Sequence, residues 1–197
     1  QTEFTDFQFQ LNDQKYFYPA STIKLPITVM ALSKINELRA GGSNISLKSK
    51  IKLSLINDKK EIIIKDSITS FQNLIADVFL VSDNSASNVL IDFLGYNYFN
   101  LSMRNSGYES TYLNHKFKPD PFIDSSWIIS TIDNDIISSK ENKITVLASS
   151  DISNLKKGKK RFIDGEIINE SLDFSSKNRS SLTDMHNIMK NLIYPEI

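Results

Sequence analysis

Hydrophobic residues are spread unevenly along this chain, and their period changes from stretch to stretch. Within residues 3–18, Phe7, Phe9 and Leu11 alternate with polar neighbours, Asn12-Asp13 offers a turn, and Tyr16-Phe17-Tyr18 follows. A period of two on either side of a turn predicts a β-hairpin. After Ser21 the pattern changes: Ile23, Leu25, Ile27, Val29, Met30, Ala31, Leu32, Ile35 and Leu38 leave little of a helix polar. A helix that is apolar over most of its circumference is a buried one. Gly41-Gly42 suits a left-handed C-cap for it. Pro26, in an early turn, removes a backbone donor and is expected to bend the axis.

Residues 45–66 show no sustained period and are expected to be irregular, with a short strand at 61–65. A second helix is predicted from Ser67 or Ser70 through Phe71, Leu74, Ile75, Val78 and Phe79, ending just before Ser82. Ser82-Asp83-Asn84 then forms a turn, and residues 85–94 form a short helix closed by Gly95. Residues 115–178 are the least legible. Lys118-Pro119-Asp120-Pro121, Asp133-Asn134-Asp135 and Lys157-Gly158-Lys159 suggest loops, with one strand at 143–147. So long a stretch without periodicity marks an insertion or a functional segment, and Trp127 is assigned to a small core of its own. The last helix opens on a capping-box variant, Ser181 with Asp184. Its expected apolar face is Leu182, Met185, Met189 and Leu192, and it ends at Tyr194-Pro195.

Chemistry enters where two of these elements begin. Ser21 and Lys24 stand three apart at the head of the buried helix, and residues i and i+3 share a helix face. A serine hydroxyl is a weak nucleophile at its own pKa, and an adjacent amine activates it by taking its proton. A lysine in the first turn of a buried helix is costly unless it has a partner or a task. Ser82 and Asn84, held in a turn between two apolar helices, supply a second hydroxyl and an amide at a rigid place. Together these residues point to acyl transfer through a serine ester. The plainer alternative has Ser21 as a helix cap and Lys24 extended to solvent. Ser-x-x-Lys occurs twice more, at Ser49/Lys52 and Ser153/Lys156, but in polar, lysine-rich surroundings that read as solvated surface. Ser-Asp-Asn occurs once.

Composition narrows the classes. The chain of 197 residues is 40% hydrophobic and 23% charged, ordinary for a globular protein. Its 23 basic and 23 acidic residues cancel, which argues against nucleic acid or an anionic membrane as partner. The one basic run, Lys156-Lys157-Gly158-Lys159-Lys160-Arg161, reads as a solvated loop. Without cysteine there is neither disulfide nor thiolate metal site. His115 and His186 lack metal-ligand spacing, so no metal and no cofactor is expected. No apolar run approaches the roughly 18 residues of a membrane span, and no signal-peptide pattern stands in these residues.

Ala20-Ser21-Thr22-Ile23-Lys24 with Leu25-Pro26, followed by Ser82-Asp83-Asn84 and the helix Asn84-Ser-Ala-Ser-Asn-Val-Leu-Ile91, resembles the class A serine β-lactamases and the related penicillin-binding peptidases. Ser181-Leu-Thr-Asp-Met185 resembles the start of a later helix in the helical half of that family. The resemblance covers 1–113 and 178–195. It implies an α+β fold of the β-lactamase/transpeptidase type, in which a helical half carries both motifs and a sheet is built from the two chain ends. Residues 1–197 would form a single such domain, mostly the helical half with an N-terminal β-hairpin and an insertion at about 115–178. The sheet is expected to be completed by residues outside 1–197.

The resemblance assigns Ser21 as nucleophile, Lys24 as its base, Ser82 as proton shuttle and Asn84 as a contact for the substrate amide. It implies a small-molecule or peptidoglycan-peptide substrate, namely β-lactams or D-alanyl peptides, and a periplasmic or extracellular location. Two parts of the family pattern are missing. There is no Lys-Thr/Ser-Gly motif, the only lysine–glycine step being Lys157-Gly158 in the basic run. The glutamate that drives deacylation in class A enzymes also has no counterpart: Lys118-Pro119-Asp120 stands where it should fall, and Glu109, in Glu-Ser-Thr-Tyr-Leu-Asn114, sits early. An acyl-enzyme is therefore expected to decay slowly. A non-catalytic sensor or cell-wall-binding module with the same fold is the alternative.

Overall fold

The computed structural model describes residues 5, 7–57, 59–118, 124–138, 144–145 and 155–194. After Pro19 a single 3-10 turn, Ala20–Ile23, leads into α1, Lys24–Ala40. The first half of α1 is buried on all sides, whereas Asn36, Glu37, Arg39 and Ala40 near its end are exposed. The glycine pair closes it as the sequence predicts. Ser43 N–H reaches back to the Leu38 carbonyl and Gly42 N–H to that of Arg39, with Gly42 at φ 93°. These two bonds satisfy carbonyls that the helix itself leaves unpaired, in a turn that glycine enters without steric cost.

Residues 45–66 correct the expectation. They hold β1, Lys50–Ile56, and the start of β2, Ile62–Ser70, paired antiparallel. The alternation of Ile51, Leu53 and Leu55 with Lys52 and Ser54 is a half-buried strand pattern, and those three apolar residues are 0–6% exposed. A third strand comes from far along the chain. β3, Ser126–Thr131, pairs with the other edge of β1, giving the order β2-β1-β3.

Ser70 caps the next helix, α2 (Phe71–Val81), by accepting from Asn73 N–H at 3.2 Å. α3, Asn84–Leu94, follows, and after Gly95 comes a further helix, α4, Tyr96–Asn105. α3 is the centre of the molecule, packing against α1, α2 and β3. Val89, Leu90, Ile91, Phe93 and Leu94 are all at most 3% exposed, and each such side chain contributes about 1.5–3 kcal/mol by leaving water. Phe93 meets Phe71 with ring centroids 4.5 Å apart. Lys34 of α1 donates to the last carbonyls of α3, those of Phe93 and Leu94. A cation there suits the negative end of the helix.

The N-terminal hairpin expected over 3–18 falls partly on residues 1–4 and 6, which lie outside the described residues. Within 7–18, Lys15 and Phe17 are bridge residues, and Phe7 and Phe9 are 92% and 85% exposed. This segment is anchored elsewhere. Phe17 bridges to Ser180, the Tyr16 hydroxyl donates to the Asn178 carbonyl, and Tyr16 and Tyr18 pack on Phe174.

The region 115–178 is less separate than expected. β3 lies within it but belongs to the main sheet, and Trp127 packs on the main core rather than on one of its own. The basic run is not a plain loop: β4 (Lys156–Lys157) pairs with β7 (Leu172–Asp173), and β5 (Arg161–Ile163) with β6 (Glu166–Ile168). Of the expected strand at 143–147, only Ile144 and Thr145 are described, and they are not in a strand.

α5, Leu182–Ile193, starts with Ser181 accepting from Asp184 N–H as predicted, but it turns a different face inward. Ile188 and Asp184 are buried, while Leu182, Met189 and Leu192 are 42–55% exposed. The Asp184 carboxylate is drawn in by the Thr111 hydroxyl at 2.8 Å, itself 2.8 Å from Ser180 Oγ. Burial pushes its pKa up.

Residues 113–117 run through the interior without regular structure, and three asparagines take the place of a neighbouring strand. Asn100 bonds both N–H and C=O of Leu113, Asn88 does the same for Phe117, and Asn178 pairs with Asn114 N–H and with N–H and C=O of His115. All three are 1–3% exposed. A buried backbone group must find a partner, and a carboxamide offers a donor and an acceptor at peptide spacing. Asn100→Ala is expected to destabilise the protein by about 2–4 kcal/mol, because it strands two buried backbone groups. Chemical denaturation of the two proteins side by side measures it, and a loss under about 0.5 kcal/mol, the scatter of neutral surface changes, would contradict it.

Candidate active site

Lys24 is the first residue of α1 and is 3% exposed. Its ammonium has three N–H donors, and three acceptors surround it: the Ser82 carbonyl, Ser82 Oγ at 3.1 Å and Asn84 Oδ1 at 2.8 Å. A fourth neighbour is apolar, the Phe117 ring, whose centroid lies 4.9 Å from Nζ. Desolvation holds the lysine pKa below its ordinary value, and the nearby Asp83 carboxylate opposes that shift. A buried amine that gives up its proton more readily than a free lysine is suited to act as a base.

The turn between α2 and α3 creates this pocket of acceptors. Ser82 ends α2 in the left-handed region at φ 54° and ψ 40°. That conformation breaks the helix and points both the carbonyl and the hydroxyl of one residue at Lys24. Asp83 then caps α3, its carboxylate accepting from Ala86 N–H at 2.6 Å, and Asn84 opens the helix. Capping by Asp83 and presentation of Ser82 and Asn84 are one arrangement.

Ser21 lies within the 3-10 turn that precedes α1, and Lys24 N–H bonds its carbonyl. At three residues per turn, i and i+3 eclipse one another, so the 3-10 geometry stacks Ser21 and Lys24 more directly than an α-helix does. Ser21 is exposed. Its hydroxyl makes no hydrogen bond with Lys24, whose donors go to Ser82 and Asn84. The structure thus joins Lys24, Ser82 and Asn84 and sets Ser21 one turn ahead of them. Ala20, immediately before, has φ 47°. Two residues other than glycine with positive φ, Ala20 and Ser82, therefore flank the site, where local strain tends to collect.

The other candidates lie elsewhere. Lys52 donates to Asn134 and Ser49 pairs with Ser46, so that Ser-x-x-Lys pair does not meet; Ser153 lies outside the described residues. Glu109 is exposed on the turn after α4, and Asp120 lies outside the described residues. His186 is exposed. His115 donates from Nδ1 to the Lys116 carbonyl at 2.6 Å, and burial pushes its pKa down. The sequence reading missed Phe117 and Asn88. Asn88 had a signal: it follows Asn84 by one helical turn, on the same face of α3.

The turn makes a prediction. Glycine tolerates the left-handed region and alanine does not, by about 1 kcal/mol. Ser82→Gly is therefore expected to melt higher than Ser82→Ala, the reverse of the usual order of these residues. Thermal denaturation of both variants is the test, and an alanine variant as stable as the glycine one would contradict the assigned backbone.

Residues 3–197 match the family model described as the Beta-lactamase enzyme family. Among solved structures, the β-lactamase from Sphaerobacter thermophilus DSM 20745 is similar over 64% of this chain and 48% of its own, at 23% identity and a TM-score of 0.41. The chain thus spans about half the length of that structure. No curated protein matches the chain. With the family match running across nearly every residue, including both motifs, the chain belongs to the β-lactamase enzyme family.

Proposed function

We propose that this chain carries the acylating centre of a serine hydrolase that acts on β-lactams or D-alanyl peptides outside the cytoplasm. One observation supports the reading above the others: a buried lysine amine bonded to Ser82 Oγ and Asn84 Oδ1, one 3-10 turn after Ser21. In this reading the neutral Lys24 amine takes the Ser21 proton as Oγ attacks the substrate carbonyl. The C–O ester bond forms, the C–N bond breaks, and the proton travels through Lys24 and Ser82 to the leaving nitrogen. Asn84 holds the substrate amide. The Ser21 backbone N–H, at a helix N-terminus, offers one donor to the oxyanion.

Acylation then needs unprotonated Lys24, so its rate should rise with pH through the depressed lysine pKa and level off above it. Incubating the full-length protein with a fluorescent penicillin should place one label on Ser21, as mapped by mass spectrometry, with a rate following that profile. A label on another residue, or one that survives Ser21→Ala, would remove Ser21 from the mechanism. If no label forms and the compound still binds reversibly, the non-catalytic sensor with the same fold is the better reading.

Deacylation should be slow. Beside Lys24 the loop 113–117 presents an aromatic ring and no carboxylate, and Glu109 is exposed on the turn after α4. The label is expected to persist long after excess penicillin is removed, as in a penicillin-binding peptidase. Rapid turnover of a chromogenic cephalosporin that disappears in Glu109→Gln would reverse this and make Glu109 the deacylating base.

A further inference from the structure

A cleft of about 760 Å³ opens beside the loop 113–117, with Tyr18, Asn114, Lys118, Ser126 and Lys177 on its walls. Phe117 lines the same cleft. Its ring is also the group stacked on Lys24, 4.9 Å from Nζ, and the residue is 8% exposed. Phe117 thus borders both the cleft and the buried amine. The backbone that carries the ring is held, because Asn88 on α3 bonds both the N–H and the C=O of Phe117 at 2.8 and 3.1 Å.

We propose that Phe117 is a positioning residue that walls the cleft off from Lys24, keeps water from a Ser21 ester, and so sets how long an acyl group remains. The proposal rests on the acyl-transfer reading and adds what controls its second half. Hydrolysis of the ester requires one water: its oxygen bonds to the acyl carbon, the C–Oγ bond breaks, and one proton passes by way of Lys24 to Ser21 Oγ. Products are the free carboxylic acid and the free serine, with no other reactant. A water placed where the ring stands could be activated by Lys24, whereas the ring offers that water neither space nor a hydrogen-bond partner. Asp83, on the α2–α3 turn, is the carboxylate acting on Lys24, and the titratable groups on the cleft walls are Tyr18, Asp92, Tyr96, His115, Lys116, Lys118, Asp124 and Lys177; Lys116 is held by Asp92 at 2.8 Å.

The test compares Phe117→Ala, which opens the wall, with Phe117→Leu, which keeps it apolar and closed. Full-length proteins are labelled with fluorescent penicillin, freed of excess, and followed for loss of label. The Lys24 side chain is titrated by NMR on carbon-labelled lysine, and thermal melts check folding. Phe117→Ala should shed label on the order of tenfold faster or more, within the range of activated-water effects, and its Lys24 should titrate at higher pH as water reaches it. Phe117→Leu should keep the parental lifetime within about twofold, since it preserves the dry wall. If Phe117→Ala does not melt cooperatively, Phe117→Val replaces it, with a lifetime expected between those of Phe and a fully opened site. A folded Phe117→Ala with parental lifetime and titration overturns the proposal, as does Phe117→Leu losing label as fast as Phe117→Ala. If the parent takes no label on Ser21, the acyl-transfer reading fails, and an unshifted Lys24 titration in Phe117→Ala separately shows that no wall exists.

Discussion

A lysine ammonium buried at the head of an apolar helix is the constraint around which this molecule is arranged. The polar neighbours of Lys24 one turn away along the chain do not serve its amine: Thr28 donates instead to the Lys24 carbonyl, and the Ser21 hydroxyl makes no hydrogen bond with it. An uncompensated charge there would cost several kcal/mol, so its acceptors must come from another part of the chain. They come from the α2–α3 turn, where one residue supplies two of the three. That requires Ser82 to leave the helix in a left-handed conformation, and it requires α3 to start at once so that Asn84 is within reach. Helix ending, helix capping and charge satisfaction are solved by the same three residues.

The same turn places α3 beside α1, and α3 then organises the rest. Its apolar residues form the middle of the core, its first turn faces Lys24, and Asn88, one turn further, holds the backbone of Phe117. Asp92, a further turn along, holds Lys116 and the Trp127 N–H, fastening β3 to the helix. Residues 84, 88 and 92 recur every fourth position and so share a face. One polar stripe on an otherwise buried helix therefore connects the buried amine of Lys24, the loop beside it and the third strand of the sheet.

The loop 113–117 shows how irregular backbone can be buried close to chemistry. A strand or helix would have satisfied its own peptide groups but fixed the direction of every side chain. Paired instead by Asn88, Asn100 and Asn178, the loop follows a path of its own and brings one ring against Lys24. The π-face of the ring attracts the cation by about 0.5–2 kcal/mol, whereas burial as a whole disfavours the charge and holds the lysine pKa below its ordinary value.

Local signals in the sequence determined the helices α1, α2, α3 and α5, the glycine stop at 41–42, the capping residue Ser181 and the two motifs. Each of these depends on residues within a turn or two of one another, where periodicity and caps act directly. The alternation of Ile51, Leu53 and Leu55 that marks β1 is short, so a reading of 45–66 as irregular misses it. What could not be read locally were the pairings across long separations. Phe17 meets Ser180 near the other end of the chain, β3 at 126–131 joins β1 at 50–56, and α5 turns Asp184 inward, where Thr111 donates to it. Nor does any sequence pattern say that Phe117 covers Lys24. That contact depends on Asn88 facing a loop whose course is set by Asn100 and Asn178. Period and capping determined which residues are helical, and the two motifs brought Ser21, Lys24, Ser82 and Asn84 forward as candidates; only tertiary structure, by giving buried polar groups such as the Lys24 amine a distant partner, decided what stands beside them.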